Sequence, residues 1–153
     1  MAKRKKSKTL GRTDVVDFPS LELYGIAVKI DTGAYTSSIH CHNIRTYKRW
    51  GKEYLRFNLL DPEHHSYHEK EFRFTEFTKK VVKNSFGESE ERFVIETDIV
   101  LFDQKYKIEL SLSNRENMRF PVLLGRKLLE KGFVVDVSKI NLSFEHQLIR
   151  LEA

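Results

Sequence analysis

Short runs of alternating apolar and polar residues recur along the chain, set apart by breaks that carry Gly, Pro, Asn or Asp. That pattern predicts β-strands far more than helices. Residues 12–18 and 26–30 read as strands, and the hydroxyl-rich, β-branched stretch 34–40 reads as a return strand. Gly51-Lys52 divides 45–57 into a hairpin, and 61–66 is a polar loop in which Pro62 excludes a central strand. Phe72 and Phe74 alternate with polar neighbours over 71–77. A second hairpin flanks the tip 84–88, and a third joins 97–102 to 106–112 around Asp103-Gln104-Lys105. After a polar loop at 113–117, Val122-Leu123-Leu124 reads as a short buried strand. Residues 126–131 read as the one clear helix, stopped by Gly132. The stretches 133–137 and 142–151 read as closing strands. Many short strands and a single short helix predict an all-β, barrel-like domain.

The run that ends at Ile30 stops abruptly in Asp31-Thr32-Gly33-Ala34. Thr32 can hydrogen-bond nearby backbone, and Gly33 permits a sharp turn. A carboxylate fixed at such a turn suits acid–base chemistry, although an Asx-type turn that only ends a strand has the same local signature. Pro121-Val122-Leu123-Leu124-Gly125-Arg126 reads as its companion stretch.

Composition narrows the setting. The chain has 153 residues, 40% of them apolar and 32% charged, which fits one domain with its own core. The single cysteine, Cys41, excludes an internal disulfide framework and predicts a reducing, cytoplasmic setting. No apolar run approaches the roughly 20 residues of a membrane helix, and no apolar stretch follows the basic start as a secretory signal requires. Much of the net charge of +5 lies in Lys3, Arg4, Lys5, Lys6 and Lys8. Residues 1–10 are therefore expected to be a basic disordered tail, either solubilising or in contact with RNA or a ribosome. Residues 11–153 are expected to form the domain.

Asp31-Thr32-Gly33-Ala34, followed some way downstream by Leu123-Leu124-Gly125-Arg126 and a short helix, resembles the retropepsin-like aspartic proteases. The chain is also similar to a bacterial family labelled ATP-dependent zinc protease and associated with ATP-grasp glutamate ligases. The resemblance implies a closed barrel of the six-stranded retropepsin type, with the apolar-apolar-Gly strand passing beneath the catalytic loop and one short helix after it. It implies that residues 84–91 are a flap, with Ser85, Phe86 and Gly87 joining Ala34 and Tyr35 in substrate binding. Asp31, Thr32 and Gly33 would be catalytic, with Leu124, Gly125 and Arg126 supporting the loop. Aspartic-protease chemistry needs two carboxylates that share a proton. One Asp-Thr-Gly per chain therefore implies a homodimer that presents Asp31 twice across a two-fold axis. Thr32 would hydrogen-bond across that axis, and Gly33 would admit substrate backbone.

Three positions depart from that pattern. Lys29 stands where aspartic proteases carry an apolar residue. Tyr35 stands where the retroviral enzymes have an aspartate that pairs with the arginine matching Arg126. The segment 42–80 is much longer than its retroviral counterpart, enough to cover the cleft or replace a dimer contact.

Other chemistries are thinner. His40-Cys41-His42 and His64, His65 and His68 offer metal donors, but no His-Glu-x-x-His motif or second cysteine accompanies them, so no metal is expected. No phosphate-binding glycine loop exists, and no cofactor is expected; an ATP link would belong to a partner ligase. Ser37 and Ser38 near His40 lack a nucleophile elbow. Phe57, Phe72, Phe74 and Trp50 read as core and sheet face rather than a base-stacking platform. Lys79, Lys80 and Lys83 beside Val81 and Val82 read as a lysine-guarded edge strand. The expected function is an aspartic-type peptidase acting on glutamate-rich peptides or protein tails, attracted by arginines such as Arg45, Arg73, Arg115 and Arg126. The alternative is a non-catalytic module of the same fold that binds a peptide or protein, and a zinc-dependent protease is the least favoured reading.

Overall fold

The structure is a computed structural model that describes residues 7–83, 86–114 and 119–152. Its strands are β1 (Lys8–Leu10), β2 (Thr13–Phe18), β3 (Leu23–Ile30), β4 (Ser37–Arg49), β5 (Lys52–Leu59), β6 (Glu71–Phe74), β7 (Thr78–Lys83), β8 (Ser89–Leu101), β9 (Gln104–Ser113), β10 (Val122–Leu124) and β11 (Phe133–Val135). Two helices, α1 (Arg126–Leu129) and α2 (Leu142–Glu152), and a 3-10 turn at Pro19–Leu21 complete the order.

Six strands close into a ring in the order β10, β3, β2, β8, β9, β4 and back to β10. The closing strand is short but pairs on both sides. It lies parallel to β3, with Leu124 opposite Ile30, and antiparallel to β4, with Val122 opposite Ile39. Residues that alternate inward along these strands (Val16, Ile26, Val28, Ile39, Ile99, Ile108, Leu110 and Val122) are buried and fill the interior. Such burial contributes on the order of 2 kcal/mol per large aliphatic side chain. The ring is the closed barrel that the resemblance implies.

Beyond the ring, β5 and β6 extend the sheet from β4. Phe57 packs against both Phe72 and Phe74, with ring centroids 5.9 and 5.6 Å apart. Trp50 does not join them. It sits at the β4–β5 turn with a positive φ of 52° and is 93% exposed, because that two-residue turn points away from the barrel. Strand β7 pairs only with β8 among the described strands, so it is an edge, as its lysines predict.

Two expectations at the chain ends are corrected. Part of the expected tail is ordered, since β1 pairs in parallel with β11 and Leu10 is fully buried. Residues 142–151 form α2 rather than a strand. Its first turn is fixed by distant residues. The backbone N–H groups of Ser143 and Phe144 donate to the buried Asp14 carboxylate at 3.0 and 3.1 Å, and the Ser143 hydroxyl accepts from Phe102 N–H at 2.8 Å. A carboxylate aimed at a helix N-terminus satisfies donors that the helix cannot. None of the described helices is long and apolar enough to cross a membrane.

Candidate active site

Strand β3 ends at Ile30 and hands Asp31 to a tight loop. The Asp31 N–H donates to the Leu124 carbonyl at 2.8 Å, so the loop begins still anchored to β10. Gly33 N–H donates to Asp31 Oδ1 at 3.0 Å, and Ala34 N–H donates to the Asp31 carbonyl at 3.3 Å. These bonds fix the carboxyl group at the turn. Asp31 is half-buried, whereas Thr32 and Gly33 are exposed beside it.

The junction of β10 and α1 holds the far side of the loop. Arg126 N–H donates to the Ala34 carbonyl at 2.8 Å and Lys127 N–H to the Tyr35 carbonyl at 2.9 Å. These are two of the free donors at the start of a helix, and the loop supplies their acceptors. Gly125 N–H donates at 2.9 Å to the buried Ser37 hydroxyl. The approach is close enough to require glycine, since a Cβ on Gly125 would lie 2.7 Å from the Tyr35 carbonyl oxygen and 2.9 Å from that of Ala34. The side chain of Lys127 in turn pairs with Glu109 on β9 at 2.7 Å. That hydrogen bond lowers the Glu109 pKa and raises that of Lys127.

Tyr35 leaves Arg126 without the acidic partner that the retroviral pattern provides, and the fold supplies two substitutes. Arg126 Nη1 donates to the Thr32 carbonyl at 2.9 Å, and its guanidinium lies over the Tyr35 ring, 5.8 Å from the centroid. The planar cation thus spans the loop from Thr32 to Tyr35. Lys29, the other departure, points out of the barrel and is exposed, so no charge enters the core.

Asp31 opens onto a cavity of about 250 Å³. Ala34, Thr36, Ser38 and Leu123 line it from the loop and its flanking strands, and Lys80, Arg92, Val94 and Ser111 line it from β7, β8 and β9. Among these described residues Asp31 is the only carboxylate. Of the segment 42–80, Lys80 on β7 lines this cavity, while β5 and β6 extend the sheet from β4. The hairpin β7–β8 stands where a flap was expected. Gly87 near its tip has a φ of +79° and Phe86 is 89% exposed, while Ser85 lies outside the described residues.

The remaining candidates are placed elsewhere. Ser37 is buried, and its hydroxyl accepts from Gly125 N–H, so it serves the loop. Cys41 is fully buried, and burial pushes its thiol up to about 12, so it stays protonated and unreactive at neutral pH. His40 and His42, two residues apart on β4, staple the turn after β5. His40 Nε2 lies 3.5 Å from Asp61, and His42 Nδ1 lies 2.9 Å from the Leu60 carbonyl oxygen. His64 and His65 stack on each other at 4.3 Å. Burial, and then the neighbouring His65, lower the His64 pKa. Among the described residues no group of three or more His, Cys, Asp or Glu side chains could hold a metal ion. Arg45 is taken by Glu71 at 3.2 Å, and Arg115 lies outside the described residues.

Three residues of the site carried too little local signal. Ser37 matters through a partner far along the chain. Lys80 and Arg92 reach the cavity through strand register, which aligns them opposite each other.

A family model described as "RimB-like: Retropepsin-like aspartic endopeptidase RimB" matches residues 9–146. A protein of Desulfotalea psychrophila named "Probable alpha-L-glutamate ligase" is 37% identical over 84% of this chain, which covers 28% of that protein. A protein of the same name from Shewanella pealeana is 35% identical over 85% of this chain and 28% of its own length. The chain thus spans little more than a quarter of these curated relatives. The crystal structure of a Legionella pneumophila protein of unknown function (DUF785) superposes with a TM-score of 0.68 at 26% identity, covering 89% of this chain and 98% of that one.

Proposed function

Because the chain belongs to the RimB-like family of retropepsin-like aspartic endopeptidases, we propose that Asp31 works as one half of a catalytic pair completed by a second copy of the chain. The observation that carries this reading is the rigid seat of Asp31. Its carboxyl group is held by Gly33, its backbone by Leu124, and it faces a cavity that contains no other described carboxylate. A lone acid cannot act as both base and acid in one step, and a symmetry mate supplies the second.

In the proposed pair one carboxylate is ionised and the other protonated. The ionised group takes a proton from water as the water oxygen attacks the amide carbon, while the protonated group donates to the carbonyl oxygen. The tetrahedral intermediate collapses as the C–N bond breaks and the amine nitrogen leaves with a proton from the pair. Thr32, exposed beside Asp31, bonds across the two-fold axis, and Gly33 leaves room for substrate backbone. Ala34, Tyr35, Phe86 and Gly87 contact the peptide on either side, together with Ser85 from outside the described residues. Leu124, Gly125 and Arg126 keep the loop from shifting. The substrate is read as a glutamate-rich peptide or protein tail. The name of the curated relatives supports this, since each is called an alpha-L-glutamate ligase over a chain that includes this region. Such a ligase or a ribosomal protein is the partner that fits, in the cytoplasm.

The solitary carboxylate in the cavity also favours a second reading, a peptide-binding module with no hydrolysis. Digestion of a peptide library by wild-type protein and Asp31→Asn, across acidic and neutral pH, separates the two. Sedimentation should be run at the same concentrations. Cleavage that tracks the dimer and vanishes in a folded Asp31→Asn protein is the expected result. Undiminished cleavage by the variant excludes aspartyl catalysis, and binding without cleavage by either protein favours the module.

A further inference from the structure

Two cations sit side by side in the cavity of Asp31. Lys80 on β7 and Arg92 on β8 are directly opposite in the antiparallel register. Both line the Asp31 cavity together with Val94, two residues beyond Arg92 on the same face of β8. Like charges directly opposite across a ladder repel, so this pairing is unfavourable unless an anion comes between them.

Among the described residues, the acids around the pair fill that role only weakly. Arg92 Nη2 reaches Glu90 only at 3.5 Å, long for a charge-assisted bond. Its Nε is buried and has no hydrogen-bond partner among the described residues. The side chain is 21% exposed, so the guanidinium is largely shielded from water as well. Glu109, whose carboxyl group feels the charge of Lys80, is already engaged by Lys127 at 2.7 Å. A planar guanidinium with an unused donor, beside a flexible ammonium, is the donor set that a carboxylate accepts most readily. A homodimer places a second Asp31 in the same cleft, and two acids would repel an acidic peptide unless cations stood nearby.

We propose that Lys80 and Arg92 form a specificity subsite that binds the side-chain carboxylate of a glutamate beside the scissile amide. The assignment rests on the peptidase reading for what happens next to the bound residue, but the subsite is a binding site in its own right. It also puts the selective contacts on the underside of the hairpin, not on Arg45 or Arg73.

The test uses the full chain carrying Asp31→Asn, with fluorescein-labelled oligoglutamate and oligoglutamine peptides read by anisotropy. Oligoglutamate should bind more tightly, and added salt should erase the difference. Lys80→Met and Arg92→Met should each weaken oligoglutamate binding about tenfold or more and leave oligoglutamine unchanged. Arg92→Lys should recover part of the loss, which a packing role would not. Lys79→Met, on the opposite face, should change neither. Oligoglutamate affinity that survives the folded Lys80→Met, Arg92→Met double variant overturns the subsite, whatever the wild type cleaves. Charge-selective binding lost in that variant upholds the subsite even if wild-type protein cleaves neither peptide, a result that would overturn the peptidase reading alone.

Discussion

Arg126 Nη1 donates to the carbonyl oxygen of Thr32 at 2.9 Å, joining two residues that lie 94 positions apart in the chain. The same guanidinium covers the Tyr35 ring, so one side chain holds both ends of the Asp31 loop. A cation meeting a carbonyl and an aromatic face does the work that an ion pair does in the retroviral enzymes.

Arg126→Ala should therefore loosen the loop more than it unfolds the protein. The side chain is exposed, so the stability loss in urea is expected to be only about 1 kcal/mol. Peptide cleavage should fall more steeply than stability. Arg126→Lys should rescue little, because an ammonium cannot both stack on Tyr35 and reach Thr32. Paired urea melts and kcat measurements on the two variants check this, and equal activity in wild type and Arg126→Ala would contradict it.

Gly125 and Ser37 should be far less tolerant. Ser37→Ala strands the buried Gly125 N–H, which costs about 1–3 kcal/mol. Gly125→Ala drives a methyl group into the carbonyls of Ala34 and Tyr35, an overpacking of about 1–3 kcal/mol or more. Thermal melts measure both, and each variant should lower Tm by several degrees.

Asp14 predicts a pH effect of unusual sign. Burial raises its pKa, and the bonds from Ser143, Val15 and Phe144 oppose that shift without cancelling it. A carboxyl group raised in the folded state binds a proton there more readily than in the unfolded chain. Its contribution is then greatest below the ordinary aspartate value of 3.8 and declines as pH rises through the folded value. Wild-type protein should gain stability relative to Asp14→Asn as pH falls through that range. Urea midpoints of the two proteins across acidic pH check the sign, and a difference that shrinks on acidification would refute it.

The ring was legible because its strands carry their own period and their own turns. Asp31-Thr32-Gly33 and Leu124-Gly125-Arg126 could be paired before any coordinates, and the structure brings them within hydrogen-bond reach. Helix α2 was not legible. Leu148, Ile149 and Leu151 stay exposed, so no clean apolar stripe marks the helical period, and its start is set by Asp14 from the other end of the chain. Strand β1 was hidden for a similar reason. Leu10 has basic neighbours, and only the partner β11 reveals it as core. Lys80 and Arg92 show the same limit at the site, since each looks like an ordinary surface cation until register sets them face to face.

Strand β10 pairs with β3 and with β4, although about seventy residues separate it from the nearer of them. During synthesis the Asp-Thr-Gly segment therefore emerges long before anything can hold it. A nascent chain that has not yet exposed Val122 to Arg126 lacks the Leu124 anchor, the helix-end donors and the arginine clamp together. Closure over so long a contour is slow, and it links assembly of the proposed peptidase site to synthesis of the chain through Arg126. A partly made chain would be unable to cut its neighbours.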